Sequence, residues 1–162
     1  MKTIFLIRHA KAESGQSIND EDRKLTEKGK SDARMMAKRL LDREISIDSF
    51  VSSPAKRALK TCKLFAEVFG VEKDSIIQLH DLYMPELADF EKVISDFEDN
   101  LNRVAIFSHN YGVTEFANSL EIATIDNMPT CSIFAFRCEI EHWSEFQNAK
   151  KHLLFFDYPK IV

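Results

Sequence analysis

The stretch TIFLIRHA, residues 3–10, decides the fold. Its four consecutive large apolar residues, close to the start of the chain, are typical of a strand that is buried on both faces of a parallel sheet. Arg8 and His9 stand where that strand ends, at the carboxyl edge of the sheet, where open α/β folds bind their ligands. An arginine and a histidine can also be no more than the first polar residues of a surface turn. Stretches further along the chain decide between these two interpretations.

The composition is typical of one globular domain. With 162 residues, of which 44% are apolar and 30% charged, the chain can form a full core, and we expect a single domain over residues 1–162. The net charge of −4 argues against a nucleic-acid-binding protein and against binding to an anionic membrane surface. No apolar stretch approaches the roughly 20 residues of a membrane span, and the chain enters a strand at once without a signal peptide. We therefore expect a cytoplasmic protein.

The cysteines give no sign of a metal or redox site. Cys62, Cys131 and Cys138 are odd in number and lack the close pairing of a zinc or redox motif. We expect all three to be reduced thiols that are mostly buried.

Strand and helix patterns alternate along most of the chain. Helices are predicted from apolar residues at spacings of three and four, and further strands from short apolar runs. The predicted helices begin near Thr26, Ser53-Pro54, Phe90 and Val113. The further predicted strands are 45–51, 75–79, 104–107 and 131–136, with a strand-like pattern around Trp143 and an apolar tail at 153–158 that packs back on the domain. This alternation predicts an α/β fold with a mainly parallel central sheet and helices on both faces.

Three predicted strand ends carry groups that suit phosphate chemistry. Arg8 and His9 follow the first strand, Arg57 comes shortly after the second, and His109 follows the strand at 104–107. Arg23 can reach the same edge from a polar loop. Each guanidinium presents a planar fork of donors to phosphate oxygens. A neutral imidazole can attack phosphorus and form a covalent phosphohistidine, provided that its other ring nitrogen donates to a fixed acceptor.

A metal site is not expected between these histidines. Their neighbours are arginines, whereas a divalent cation needs carboxylate or thiolate partners. We expect no metal and no cofactor.

The same residues stand in four blocks that resemble those of the histidine phosphatase superfamily, also called the phosphoglycerate mutase-like family. In chain order the blocks are LIRHAKA at 6–12, LTEKG at 25–29 preceded by Arg23, SSPAKRALKT at 52–61, and SHN at 108–110. Ala10 stands where the family has a glycine, so this backbone position accepts a residue with a Cβ. The short chain and minimal loops are similar to those of the phosphohistidine phosphatase subgroup called SixA.

The resemblance implies a role for each of the residues at the strand ends. It implies that His9 is the nucleophile that becomes phosphorylated, and that Arg8 and Arg57 clamp the phosphate. It further implies that His109 is the second histidine of the pocket and that Arg23 is an auxiliary phosphate ligand.

The resemblance leaves the identity of the proton donor open. Many members of the family have an acidic residue after the third strand. Glu86 and Asp89 are the positional candidates here, with Glu86 the first choice. The alternative is that Glu86 is a solvated loop residue, which is the commoner situation for a glutamate.

We expect a metal-independent phosphatase that works through a phosphohistidine on His9 and acts on protein phosphohistidine, as in a phosphotransfer domain. Inorganic phosphate is then released, and we expect the enzyme to be a monomer. One alternative is a phosphomonoesterase of broad specificity for small phosphorylated molecules, or a mutase, although a mutase needs enclosing loops that this chain lacks the length to build. The other is a catalytically inactive module that binds phosphate or a partner, against which the intact set of arginines and histidines argues.

Overall fold

The computed structural model describes residues 1–15 and 17–160. The strands are β1 (Lys2–Arg8), β2 (Ser49–Ser52), β3 (Ile77–Gln78), β4 (Arg103–Ser108), β5 (Ile133–Cys138) and β6 (Lys151–Asp157). The α-helices are α1 (Glu27–Asp42), α2 (Lys56–Val68), α3 (Leu87–Ser95) and α4 (Gly112–Ser119). Short 3-10 helices lie at Asp20–Asp22, Lys73–Ser75, His80–Leu82 and Trp143–Asn148. Within these described ranges, none of the helices is long and apolar enough to cross a membrane.

The strands form one six-stranded sheet in the order β3-β2-β4-β1-β5-β6. The first four of these are mutually parallel, whereas β5 runs antiparallel to β1 and β6 antiparallel to β5. The predicted α/β fold with a mainly parallel sheet is therefore confirmed, with β1 in the interior of the sheet. The register pairs Arg8 of β1 with Ser108 of β4, so the residues that follow both strands lie at the same level.

Alternate residues of β1 serve two hydrophobic cores, one on each face of the sheet. Ile4 and Leu6 pack into a core that includes side chains of α3 and α4. Phe5 and Ile7 pack into the other core, which includes side chains of α1 and α2. The run of four large apolar residues in β1 thus has a direct cause, because both of its faces are covered. The predicted helices on both faces are confirmed.

Several element boundaries differ from those predicted. The strand expected at 45–51 begins only at Ser49. Ile45 and Ile47 precede the paired strand, and both are partly buried against the core formed with α1 and α2. The strand expected at 75–79 is reduced to Ile77 and Gln78. The helix expected to start at Ser53-Pro54 begins at Lys56, and the Ser53 hydroxyl accepts the backbone N–H of Ala55.

The strand-like pattern around Trp143 was a wrong prediction, since residues 143–148 form a 3-10 helix. The indole of Trp143 is buried edge-on against Phe97, and its Nε1 donates to the carbonyl of Leu101 at 2.9 Å. The apolar side chains of residues 143–148 therefore pack into the core from a short helix and not from a strand. The apolar tail does pack back on the domain, as the edge strand β6.

Gly29 allows α1 to lie close to the segment that follows β1. A Cβ built on Gly29 would stand 2.1 Å from the carbonyl oxygen of Lys11, which itself accepts the backbone N–H of Thr26 at 2.9 Å.

Helix propensity alone predicts that Gly29→Ala stabilises the protein by about 0.5–1 kcal/mol. We expect the reverse, a lower melting temperature by circular dichroism, because the helix must move away from the segment. Ser31→Ala, at an exposed position of the same helix, is the control, and a Gly29→Ala protein that melts as high as wild type would contradict this account.

Candidate active site

The carboxyl ends of β1, β2 and β4 bring four side chains of the predicted site together. His9 follows β1, His109 follows β4, and Arg57 lies in the first turn of the helix after β2. The ring centroids of the two histidines are 5.4 Å apart. His9, His109 and Arg57 are only 7%, 1% and 1% exposed, whereas the residues of a surface turn would be solvated. Arg8, the last residue of β1, completes the group.

His9 is held as a neutral imidazole with one free ring nitrogen. Its Nδ1 lies 2.7 Å from the carbonyl oxygen of Ala10, and a carbonyl can only accept, so Nδ1 carries the hydrogen and Nε2 carries the lone pair. Burial lowers the pKa of His9 to about 4 against the raising effect of that hydrogen bond, and the charges of Arg57, Arg8 and Arg23 lower it further. At neutral pH the Nε2 atom is therefore available as a nucleophile.

His109 is oriented by a hydroxyl at the end of the neighbouring strand. Its Nε2 lies 2.7 Å from Ser53 Oγ, and that oxygen also accepts the backbone N–H of Ala55. The Ser53 hydroxyl can therefore donate to Nε2, which leaves the hydrogen of the neutral ring on Nδ1. Burial, followed by the proximity of His9 and Arg57, lowers the pKa of His109 to about 3. In the tautomer that accepts from Ser53, the second imidazole is a neutral ring whose Nδ1–H has no partner within the protein and can donate to a ligand.

Asp20 holds the guanidinium of Arg57 and was missed in the sequence analysis. Arg57 Nη1 donates to the backbone carbonyl of Asp20 at 2.6 Å, and Nη2 donates to its carboxylate at 2.9 Å. The same carboxylate accepts from the hydroxyl of Tyr83 at 2.7 Å and from Nε of Arg23 at 3.2 Å. Burial alone would raise the pKa of Asp20, but the hydrogen bonds from Tyr83 and Arg57 outweigh it and lower the pKa to about 2. Asp20 is therefore an ionised positioning group.

The sequence analysis also missed Tyr83. In the structure its ring lies edge-on against His109, with 5.5 Å between the ring centroids. The only sequence signal for Asp20 is its place three residues before Arg23, a spacing at which an acidic and a basic side chain can pair within one turn. Tyr83 lies in an irregular stretch with no periodic pattern. Neither residue could have been assigned to the site without the path of its loop.

Buried polar atoms without a partner converge on this site. Arg8 donates through Nη1 to the carbonyl of Met128 at 2.7 Å, but its Nε has no partner. Among the described residues four buried side-chain nitrogen or oxygen atoms lack a hydrogen bond, and three of them belong to the site: Arg8 Nε, Arg57 Nε and His109 Nδ1. Buried donors are almost always satisfied in folded proteins. A group of unsatisfied donors beside a nucleophilic nitrogen is what an oxyanion substrate requires.

The two remaining predicted residues are placed differently. Arg23 lies at the margin of the site, where it pairs with Asp20 and donates to the carbonyl of Glu13 at 3.1 Å. Glu86 is exposed at the start of α3, and its backbone N–H donates to the carboxylate of Asp89 at 2.8 Å. In the described part of the chain, neither acidic side chain forms a hydrogen bond to the histidines or arginines of the site. The role of Glu86 as an acid stays a prediction.

Comparison with known families identifies the chain. The family model described as histidine phosphatase superfamily (branch 1) matches residues 4–121, which is well over half of the sequence. The chain belongs to the histidine phosphatase superfamily. No curated protein sequence matches it.

Solved structures of histidine phosphatases share the fold of this chain. A candidate phosphohistidine phosphatase SixA from Agrobacterium tumefaciens has a TM-score of 0.79 at 22% identity, covering 98% of both chains. The protein histidine phosphatase SixA complexed with tungstate has a TM-score of 0.79 at 20% identity, covering 97% of both chains. A mycobacterial glucosyl-3-phosphoglycerate phosphatase has a TM-score of 0.74 at 15% identity, covering 98% of both chains. The similarity establishes a common fold at low identity.

The second sequence block links the segment after His9 to the helix that carries Arg57. Thr61 Oγ1 accepts the backbone N–H of Ala10 at 3.0 Å and donates to the carbonyl of Arg57 at 2.7 Å. One hydroxyl therefore joins the residue after His9 to the helix that carries the buried arginine. The spacing of the block positions α2 against the end of β1.

The protonation states of the histidines can be read by NMR of the ¹⁵N-labelled imidazoles. At about pH 5.5 we expect His9 and His109 to remain neutral, because their pKa values are lowered far below the ordinary 6.5. His142 is the internal control, since its hydrogen bond to Asp99 raises its pKa, and it should be protonated at that pH. Assignment by single His→Gln variants identifies each signal. A His9 ring that becomes protonated near the ordinary value would contradict the geometry described above.

Proposed function

We propose that this histidine phosphatase works through a covalent phosphohistidine on His9 and that its substrate is phosphohistidine on a protein. The observation that carries the proposal is the neutral His9, with Nε2 free and Nδ1 held by a carbonyl, beside two arginines and His109. Nucleophile and charge-stabilising donors are then fixed in position before the substrate arrives.

The proposed reaction proceeds in two steps. In the first, His9 Nε2 attacks phosphorus, a new N–P bond forms, and the P–N bond to the substrate imidazole breaks. In the second, the oxygen of water attacks phosphorus, the N–P bond breaks and Nε2 regains its lone pair. The phosphoryl group leaves as dihydrogen phosphate, which carries both protons of the water. The donors Arg8 Nε, Arg57 Nε and His109 Nδ1–H stabilise the charge on the phosphoryl oxygens in both steps.

The states of Asp20 and Glu86 favour a substrate whose leaving group does not need to be protonated by a general acid. Asp20 has a pKa lowered to about 2, so it is ionised at neutral pH and cannot donate a proton. Glu86 is exposed at the start of α3. An alkoxide leaving group needs a positioned acid, which is worth roughly 10²–10⁴-fold. A phosphohistidine protonated on its other ring nitrogen expels a neutral imidazole, so it can react without that acid.

The fold also accommodates the alternative of a phosphatase for small molecules. One structural neighbour is a glucosyl-3-phosphoglycerate phosphatase, so a small phosphorylated metabolite is the second candidate substrate for this chain. We further propose that the enzyme acts in the cytoplasm. Its three cysteines are free and buried, which suits a reducing compartment.

His9→Ala should abolish turnover and covalent labelling. We expect a loss of at least about 10³-fold in kcat with an aryl phosphate, because removing the nucleophile removes the intermediate. The label is read by rapid acid-free quenching of the enzyme with ³²P-labelled substrate, followed by gel autoradiography under alkaline conditions. His152→Ala is the matched control, since this partly exposed histidine lies in the edge strand β6 and pairs with Glu139. Label retained on the His9→Ala protein would assign the nucleophile elsewhere.

The substrate class is tested by comparing kcat/KM for three kinds of phosphate at one pH. A phosphohistidine-bearing protein should exceed sugar or glycerate phosphates by at least about 10²-fold, which is the contribution of a missing general acid. An aryl phosphate, with a better leaving group than an alkyl phosphate, should fall between them. A clear preference for an alkyl phosphate would favour the small-molecule alternative and would return attention to Glu86 as the acid.

A further inference from the structure

A groove rich in lysine lies between α1 and α2, and its lining includes Lys56, the residue before Arg57. It has a volume of about 460 Å³ and an apolar floor that includes Leu25 and Leu59. Its charged lining consists of Lys24, Lys30, Lys56, Lys60, Lys63, Glu13 and Glu27. Five lysines and two glutamates give the groove an excess of positive charge, whereas the chain as a whole has a net charge of −4.

Most of this positive charge is not neutralised within the protein. Lys30 pairs with Glu27 at 3.2 Å, and Lys56 lies 3.6 Å from a carboxylate oxygen of Asp22. The other three lysines of the groove have no carboxylate within 4.0 Å among the residues that the structure describes. Like charges kept close together cost free energy unless an anion joins them. The groove therefore presents a surface for a negatively charged ligand.

The groove adjoins the segments that carry the active site. Lys56 immediately precedes Arg57, and Lys60 and Lys63 follow at the helical spacings that place all three lysines on one face of α2. This lysine row extends about 10 Å along the helix, at 1.5 Å per residue. At the other wall, Arg23 bridges site and groove, because it holds Asp20 and also donates to the carbonyl of Glu13. A ligand whose phosphoryl group is at His9 can thus extend along the lysines.

The opposite margin of the site carries exposed apolar side chains. Tyr111, two residues after His109, is 75% exposed, and Met84, next to Tyr83, is 52% exposed. Ile18 and Leu87 are further exposed apolar residues on the segments that lead to Asp20 and away from Tyr83. A protein substrate could cover exposed apolar side chains of this kind when it binds next to the site.

We propose that the groove binds an acidic segment of the phosphorylated protein, next to the phosphohistidine that enters the active site. This inference rests on the proposed function and adds to it a partner of defined charge. The charges are complementary, and the length of the lysine row fits a peptide segment of several residues. The groove then raises the rate of productive encounter and selects phosphohistidines that lie beside acidic residues.

Two synthetic phosphohistidine peptides of equal length test the proposal, one with a run of glutamates after the phosphohistidine and one with glutamines. For the wild-type enzyme we expect kcat/KM to be at least about 10-fold higher for the acidic peptide at low salt, the lower range of electrostatic steering. This preference should fall as salt is added. Lys60→Glu/Lys63→Glu should lose it, while kcat/KM for an aryl phosphate stays within about twofold, because the lysines lie outside the catalytic group.

A double variant away from the groove serves as the matched control. Lys73→Glu/Lys150→Glu changes the net charge by the same amount at two exposed positions and should keep the preference for the acidic peptide. If the control loses the preference as well, net charge and not the groove is responsible. A peptide with lysines in place of the glutamates should regain activity with the Lys60→Glu/Lys63→Glu enzyme, which a merely unfolded variant could not do.

The remaining outcomes separate this inference from the proposed function. Equal kcat/KM values of the wild-type enzyme for both peptides would overturn the proposal that the groove binds an acidic segment, and the proposed function would be unaffected. Failure to cleave either peptide, with the aryl phosphate still cleaved through His9, would overturn both. The last outcome concerns two inhibitors of the cleavage of the acidic peptide, a short single-stranded DNA and the unphosphorylated acidic peptide. If the DNA inhibits at the lower concentration, the groove is instead a nucleic-acid site.

Discussion

The site depends on keeping one buried guanidinium charged and still. Arg57 is almost wholly enclosed, and an unpaired buried ion costs several kcal/mol. Asp20 offsets this cost through its backbone carbonyl and its carboxylate, and Tyr83 and Arg23 hold that carboxylate in turn. Burial is the main cause that keeps the two neighbouring imidazoles neutral, and the positive charge adds to it, since it disfavours a further proton on either ring. The nucleophilic state of His9 is thus partly set by a carboxylate that never touches it.

Much of this arrangement could be predicted from local sequence patterns. Continuous apolar runs identified β1 and β4 because strands buried on both faces have no polar side, and the alternation with helices implied parallel pairing. Parallel strands end at one edge, so His9 and His109 had to be neighbours once their strands were adjacent. The Ser-Pro block placed Arg57 in the first turn of the next helix, which starts at Lys56, two residues after Pro54.

The rest of the site could not be predicted because it depends on the paths of irregular segments. Asp20 and Tyr83 come from segments without periodicity, and they meet only because the loop after β1 folds back over the sheet edge. The segment at Trp143 has strand-like composition, yet its backbone forms a 3-10 helix in which the indole is buried. In each case long-range packing decided the conformation, and that information is not present in a local window.

The pairing of β1 also determines when the enzyme becomes whole during synthesis. This strand precedes both of its neighbours in the chain by a long stretch: Thr3 pairs with Arg103 of β4, and Lys2 pairs with Cys138 of β5. Contacts between such distant residues form slowly, and unpaired apolar strands are prone to aggregate. In a nascent chain, β1 therefore has no strand partner until β4 has been made. A product cut short before β5 would contain His9 but lack the strand that encloses it.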